Sequence, residues 1–80
     1  IEDLALEHER LRIIRQAWYH IAASSIYNVE QVKAATSDEP LRKNIMIDSG
    51  IPLNIVNRIK HPIYWSLLCE YFWFYKYFTQ

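Results

Sequence analysis

Apolar residues recur along the first 25 residues at steps of three, four and seven. They are Leu4, Leu11, Ile14, Trp18 and Ile21, and this spacing places them on one side of an α-helix. The opposite side carries charged residues, with acids three positions before bases: Glu7, Glu9, Arg10, Arg12 and Arg15. Such pairs are typical of a solvated helix surface. The pattern therefore predicts an amphipathic helix over about residues 3–25.

A second helix start is indicated at Asn28. Its side chain can cap a helix, and Gln31 stands three residues later, where its own side chain can reach back to the cap. Tyr27 and Val32 occupy the positions of a hydrophobic staple. We therefore expect a helix over about residues 28–36. A continuation of the first helix is the alternative.

A third helix start follows at Ser37. This serine can act as the N-cap, the two acidic residues after it favour the positive end of a helix, and Pro40 is tolerated in a first helical turn. Gly50, the single glycine of the chain, suits the left-handed position just after a helix C-terminus. The expected helix spans about residues 38–49.

Two further prolines mark the remaining helix starts. Pro52 and Pro62 suit a first helical turn, and His61 is pushed out of helical geometry because it precedes a proline. The expected helices span about residues 52–60 and 62–79. The last segment is apolar on every side of the helix instead of along one stripe. A strand is the alternative, but the segment is long for a strand without a turn signal.

The composition also favours helices. The 80 residues are 51% hydrophobic and 15% aromatic, whereas a disordered chain is poor in both classes. One glycine and three prolines are too few for the many turns of a β-sandwich or barrel. We expect a single all-α domain, residues 1–80, with four to five helices in a small orthogonal or bundle-like arrangement.

The net charge gives no general attraction to nucleic acid or to anionic lipid, because nine basic and nine acidic residues cancel. The distribution is uneven. Residues 1–40 hold seven acids and four bases, net −3, and residues 41–80 hold two acids and five bases, net +3. The single cysteine, Cys69, cannot form an internal disulfide. This favours an intracellular, reducing location, cytoplasmic or nuclear.

The segment NIMIDSGIPLNIVNRIKHP, residues 44–62, places apolar residues on both sides of a glycine turn. Gly50 permits a tight turn, Ile51 fills the angle between two helices, and Pro52 starts the second helix. Over residues 42–61 this spacing resembles the helix-turn-helix motif of DNA-binding proteins.

In that family the second helix lies in the major groove of DNA. The resemblance therefore implies that Asn54, Asn57 and Arg58 reach base edges, and that Arg42, Lys43 and Lys60 lie near phosphates. Leu53 and Ile55 depart from the family, which usually has polar residues there. Four bases within residues 41–61 also supply few phosphate contacts. The alternative is a pair of short helices inside any helical bundle.

The sequence gives little indication of catalysis. None of His8, His20 and His61 has a second histidine or a cysteine four positions away to share a metal. The chain contains no glycine-rich phosphate loop and no paired-carboxylate motif. We therefore expect a non-catalytic protein with no catalytic residue, no cofactor and no metal. An enzyme is a further hypothesis, which would require His20, His61 and Glu70 to meet in one cleft.

The ten residues CEYFWFYKYF, Cys69 to Phe78, include seven aromatic residues. Each ring buries on the order of 150–250 Å² when it is covered. Three small amphipathic helices can cover one face of such a helix but cannot enclose it. We therefore expect an apolar face to remain exposed, which is larger than most soluble monomers present.

That exposed face leads to the main functional hypothesis, a protein-interaction or assembly domain that self-associates or binds a protein partner. The expected anchors are Tyr71, Trp73, Phe74 and Tyr75, because tyrosine and tryptophan are common in interface hot spots. Two alternatives remain for the same rings. The segment is a central core helix, or it contacts a membrane as part of a small subunit of a membrane-associated complex. The charge of Glu70, near the middle of this segment, disfavours a position that spans the membrane.

Overall fold

The computed structural model describes the backbone of residues 2–79 and the side chains of residues 4–79. Residues 2–79 form six α-helices and no β-strand. The helices are α1 (Glu2–Ser24), α2 (Val29–Ala34), α3 (Glu39–Asp48), α4 (Leu53–Ile59), α5 (Pro62–Glu70) and α6 (Trp73–Phe78). One turn of 3-10 helix, Ala35–Ser37, lies between α2 and α3. The expected all-α class is confirmed; Ile1 and Gln80, which the predicted domain includes, lie outside the described residues.

The start of α2 has the predicted capping box. The backbone N–H of Gln31 donates to Asn28 Oδ1 at 2.9 Å, and the backbone N–H of Asn28 donates to Gln31 Oε1 at 2.9 Å. Two of the free N–H groups at the helix start are thereby satisfied. The α-helix ends earlier than predicted, and its last residues tighten into the 3-10 turn.

Both ends of α3 are fixed by local residues. Asp38 is the N-cap, accepting a hydrogen bond from the backbone N–H of Leu41 at 3.2 Å; the prediction of Ser37 as the cap is wrong, because Ser37 belongs to the 3-10 turn. At the other end Gly50 has φ +67°, as predicted. Two backbone bonds close a Schellman motif there, from Gly50 N to Ile47 O at 3.1 Å and from Ile51 N to Met46 O at 3.2 Å.

The centre of α1 supplies much of the core. Ile14, Trp18 and Ile21 of the predicted stripe are fully buried. Leu4 of the same stripe is 61% exposed, because the first turns of α1 extend past the rest of the fold and the first buried residue is Ile13. The molecule is accordingly elongated, with principal extents of 38 × 28 × 21 Å.

The C-terminal aromatic segment is two helices, so the prediction of one continuous helix over residues 62–79 is wrong. The chain leaves helical geometry at Tyr71, where φ is −104° and ψ is +35°. After this break α6 lies along α1, where the Tyr75 ring meets Trp18 and the Phe78 ring meets Tyr19. A change of direction covers one side of α6 that a straight continuation of α5 would leave without a neighbour.

Hydrogen bonds between helices place α5 at the centre of the fold. The indole N–H of Trp65 donates to Val32 O on α2 at 2.7 Å, and the indole N–H of Trp18 donates to Leu68 O on α5 at 2.9 Å. All four of these residues are fully buried. Each buried indole therefore keeps a partner for its polar atom while its ring packs in the core.

Candidate interaction surface

The inward side of α6 contacts α1. Three half-buried rings form this side: Phe74, Tyr75 and Phe78. The Tyr75 ring meets Trp18 edge to face with 6.0 Å between centroids, and its hydroxyl donates to the backbone carbonyl of Tyr27 at 3.3 Å. The Phe78 ring meets Tyr19 edge to face at 5.4 Å. These contacts attach α6 to the fold by one side only.

The outward side of α6 is open to solvent. Trp73 is 49% exposed and Tyr77, one turn later on the same side of the helix, is 73% exposed. Phe72, just before the helix, and Tyr19, on α1 beside Phe78, are exposed as well. We call these four exposed rings, Tyr19, Phe72, Trp73 and Tyr77, the aromatic face. None of the six residues of α6 is fully buried, so the fold covers this helix only on the side that contacts α1.

Two interactions hold the aromatic face in place. The Trp73 ring lies against Phe74 with 4.1 Å between centroids and a tilt of 34°. The Lys33 ammonium group, on α2, lies over the Phe72 ring at 4.6 Å from its centroid, a cation–π geometry. The exposed rings are therefore positioned by neighbours instead of projecting freely into solvent.

The four predicted anchors have different positions. Trp73 lies on the outward side, whereas Phe74 and Tyr75 are half-buried toward α1 and Tyr71 is half-buried at the end of α5. Sequence reasoning missed Tyr77, although its position four residues after Trp73 on a helix could have identified it. It also missed Phe72, which lies exposed at the break after α5, and Tyr19, which lies beside Phe78 because α6 packs along α1.

The segment that resembles a helix-turn-helix forms α3, a turn at residues 49–52, and α4. Its helices contribute buried Ile45, Met46, Ile55 and Ile59 to the core, whereas Val56 is half-buried. Five of the six side chains implied to contact DNA are exposed: Lys43, Asn54, Asn57, Arg58 and Lys60. The Arg58 guanidinium donates to Glu9 on α1 at 3.3 Å, which places an acid beside this surface.

Arg42 is the exception, and its expected position near phosphates is wrong. It is only 6% exposed. Its guanidinium donates to three backbone carbonyls, Ala35 O at 3.2 Å, Thr36 O at 3.0 Å and Lys60 O at 3.2 Å. A buried charge needs such partners. Arg42 therefore links the 3-10 turn to the end of α4 and is unavailable to an external anion.

The titratable groups with shifted pKa values lie apart from one another. Burial raises the pKa of the Cys69 thiol, although a hydrogen bond with Thr36 and the charge of Lys33 partly offset this; a thiol with a raised pKa is a poor nucleophile at neutral pH. The hydrogen bond that Tyr27 donates to Asp48 Oδ2 at 2.6 Å raises the pKa of that phenol. Burial raises the pKa of Tyr64.

Among the residues that the structure describes, no group of three or more His, Cys, Asp or Glu side chains is placed to hold a metal ion. Within residues 2–79, no helix has both the length and the apolar content needed to cross a membrane. Comparison with protein families, with curated proteins and with solved structures finds no match to this chain.

Proposed function

We propose that this protein is a non-catalytic helical assembly domain whose aromatic face binds another protein chain, either a second copy or a protein partner. The observation that supports this proposal is the state of α6. Five of its six residues are aromatic and none is buried. Water is a poor environment for this much apolar ring surface, and a second protein surface would cover it.

The area of the aromatic face is sufficient for specific binding. Its four side chains are 39–73% exposed, so at about 150–250 Å² each they present roughly 400 Å² of ring-bearing surface. A patch of this size is at the level at which surface patches are often functional. Two copies in contact would bury about 800 Å² from these side chains alone. Flanking groups such as Lys76 would bring the total near the lower limit of about 1,000–1,200 Å² for specific interfaces.

The chemistry of the face favours protein over lipid. Trp73 and Tyr77 each combine a flat apolar ring with a hydrogen-bond donor, the combination most common in hot spots of protein interfaces. Both rings are already oriented by neighbours, so binding costs little side-chain entropy. With this function we propose an intracellular, cytoplasmic or nuclear location, because the single cysteine, Cys69, cannot form an internal disulfide.

The proposal is tested with a double variant, Trp73→Ser with Tyr77→Ser, and a matched control, Ile63→Ser. Ile63 is 86% exposed on α5 and lies outside the aromatic face, so the control removes exposed apolar surface elsewhere. Sedimentation velocity over a concentration series should show wild type and control self-associating at least tenfold more tightly than the double variant. If wild type stays monomeric, affinity capture replaces sedimentation as the readout.

If wild type is monomeric, affinity capture with wild type and with the Ile63→Ser control should retain a protein that the double variant does not retain. Equal behaviour of all three proteins in both measurements would rule the proposal out. Circular dichroism of each variant is needed alongside, because loss of binding is informative only in a folded protein.

DNA binding by α3 and α4 is a second candidate, favoured by the exposure of Asn54, Asn57 and Arg58 on one helix. Binding to duplex DNA should weaken as salt is raised, and Arg58→Ala should weaken it further. This surface should bind a polyanion more weakly than a uniformly basic surface would, because Arg58 is paired with Glu9 and Leu53 is exposed. Titration of labelled duplex at low salt decides the question, and no binding there would exclude the candidate.

A further inference from the structure

A groove runs between α3 and α4 on the side of the fold away from α1. One part has a volume of about 530 Å³ and is lined by residues that include Pro40, Met46 and Val56. The second part has a volume of about 310 Å³ and is lined by residues that include Met46, Val56 and Leu53. Because the two parts share Met46, Val56 and Lys43, they adjoin each other in one surface groove. We call it the α3–α4 groove.

The groove combines an apolar floor with a basic rim. Met46 and Val56 form the floor, and exposed Leu53 and Ile47 extend it at one end. The exposed charged residues that line it are Lys43 and Lys60, opposed by the single acid Glu39; Arg42 also lines it but is buried and bonded to three backbone carbonyls. Such a groove suits an amphipathic helix whose apolar residues enter the floor and whose acidic residues face the lysines. A phosphate backbone would leave the apolar floor uncovered.

The first turns of α1 have the complementary chemistry. Residues 2–8 carry three acids and no lysine or arginine, and Glu9, the next acid, is paired with Arg58 of its own chain. Leu4 and Leu6 within them are 61% and 57% exposed, since this end of α1 extends beyond the rest of the fold. A helix end of this kind offers both the apolar side chains and the negative charge that the groove lacks.

The groove of the same chain is out of reach for this helix end. Ile55 and Arg58 of α4 face α1, where they line a hollow with Glu9 and Ile13, while Val56 of α4 faces the groove. The two surfaces therefore lie on different sides of α4. Because α1 is one continuous helix, its first turns can enter only the groove of another molecule.

We propose that the α3–α4 groove binds the acidic first turns of α1, residues 2–8, of a second copy of this chain. The contact is heterologous, with different surfaces on the two copies, and it goes beyond the proposed role of the aromatic face. It also accounts for the uneven charge, because the acidic half of one copy then meets the basic half of the next. Raising the salt concentration should weaken the contact.

The experiment uses full-length chains that all carry Trp73→Ser and Tyr77→Ser, so that the aromatic face does not contribute; we call this chain the parent. The groove variant adds Lys43→Glu and Lys60→Glu, and the α1 variant adds Leu4→Ser and Glu7→Lys. Each addition is at an exposed position, so folding should be retained, as circular dichroism can verify. Lys76→Glu, an exposed lysine outside the groove, is the matched control.

Sedimentation velocity should show the parent and the control associating, and each of the two variants alone associating at least tenfold more weakly. An equimolar mixture of the two variants should form a 1:1 dimer, because the intact α1 of the groove variant fits the intact groove of the α1 variant. A contact of α1 with α1, or of groove with groove, cannot give this result, since every mixed pair would then include a damaged surface.

Three outcomes would overturn the proposal. The parent is monomeric at every concentration, in which case no second copy occupies the groove. The mixture is as weak as its components, in which case the two surfaces do not meet. The groove variant fails to associate while the α1 variant associates like the parent, in which case the occupant is a different acidic segment.

Discussion

The helices α5 and α6 come from one aromatic stretch of sequence and have opposite environments. In α5, Trp65 and Leu68 are fully buried and Trp65 is hydrogen-bonded to α2. In α6, Trp73 is 49% exposed and no residue is buried. The two helices are separated only by the break after Glu70. The difference shows that burial here follows from the number of neighbouring helices and not from the hydrophobicity of the segment.

The contrast also separates two uses of an aromatic residue. A ring enclosed on all sides contributes its full transfer free energy to folding, whereas a half-exposed ring retains much of that free energy for an association. Stability should therefore depend on the rings of α5, and assembly on the outward rings of α6. Substitutions matched between the two helices test this division.

The largest effect is expected for Trp65→Ala. This change opens a cavity in the centre of the fold and removes the indole hydrogen bond to the Val32 carbonyl, which together should cost about 3–5 kcal/mol. Small domains have total stabilities of about 5–15 kcal/mol, so the variant should be largely unfolded by circular dichroism. Trp65→Phe keeps most of the volume and should remain folded with a lower urea midpoint. A midpoint equal to wild type for either variant would contradict the central position of α5.

The matched change in α6, Trp73→Ala, should have a smaller effect on folding. It removes a half-exposed ring and its contact with Phe74, which we expect to cost about 1 kcal/mol. The same urea titration should show a clearly smaller midpoint shift than Trp65→Ala produces. The effect should appear instead in the association measured by sedimentation. A loss of stability comparable to that of Trp65→Ala would remove the distinction between the two helices.

Local signals in the sequence were sufficient to predict several helix ends. The capping box of Asn28 and Gln31, the left-handed Gly50 and the proline at the start of α5 each depend on residues within one turn. Their geometry is set by backbone hydrogen bonding that any fold would preserve. The cap of α3 shows the limit of this approach, since Ser37 and Asp38 are both good caps and the 3-10 turn decides between them.

Features that depend on distant residues could not be predicted in this way. Arg42 is buried because three carbonyls from the 3-10 turn and the end of α4 converge on it, and no pattern near position 42 indicates that. The break at Tyr71 has no glycine or proline to mark it; it depends on where α1 lies. The outward rings of α6 were therefore only partly identified, with Trp73 found and Tyr77 missed.

A smaller loss of stability is expected for Lys33→Ala. Lys33 lies on α2 and contacts Phe72, which is in the break between α5 and α6. The ammonium group lies 4.6 Å from the Phe72 centroid, and exposed cation–π contacts contribute about 0.5–1 kcal/mol. Stability should fall by about that amount in urea titration. Lys33→Arg keeps the charge over the ring and should retain most of the stability. If the alanine and arginine variants are equally stable, the cation–π contact does not hold Phe72.

The smallest expected effect is a pH dependence of the folding stability, which arises because the thiol of Cys69 on α5 is partly buried. Burial raises the pKa of this thiol, so the folded protein keeps its proton at a pH where the unfolded chain, with a thiol pKa of about 8.5, has lost it. The unfolded state then binds fewer protons than the folded state, and stability falls as pH rises above about 8.5. At lower pH both states are protonated and this contribution to stability is fully present.

Comparison of wild type with Cys69→Ala isolates this contribution. The difference in unfolding free energy between the two proteins should change in favour of the alanine variant between about pH 7.5 and 9.5, a window below the ordinary titration of tyrosine near pH 10. The native thiol should also react with iodoacetamide more slowly than the thiol of the urea-unfolded chain, because the thiolate is the reactive form. Parallel pH profiles for the two proteins, with equal alkylation rates in the folded and unfolded states, would show that α5 is less enclosed at Cys69 than its contacts with Thr36 and Val32 indicate.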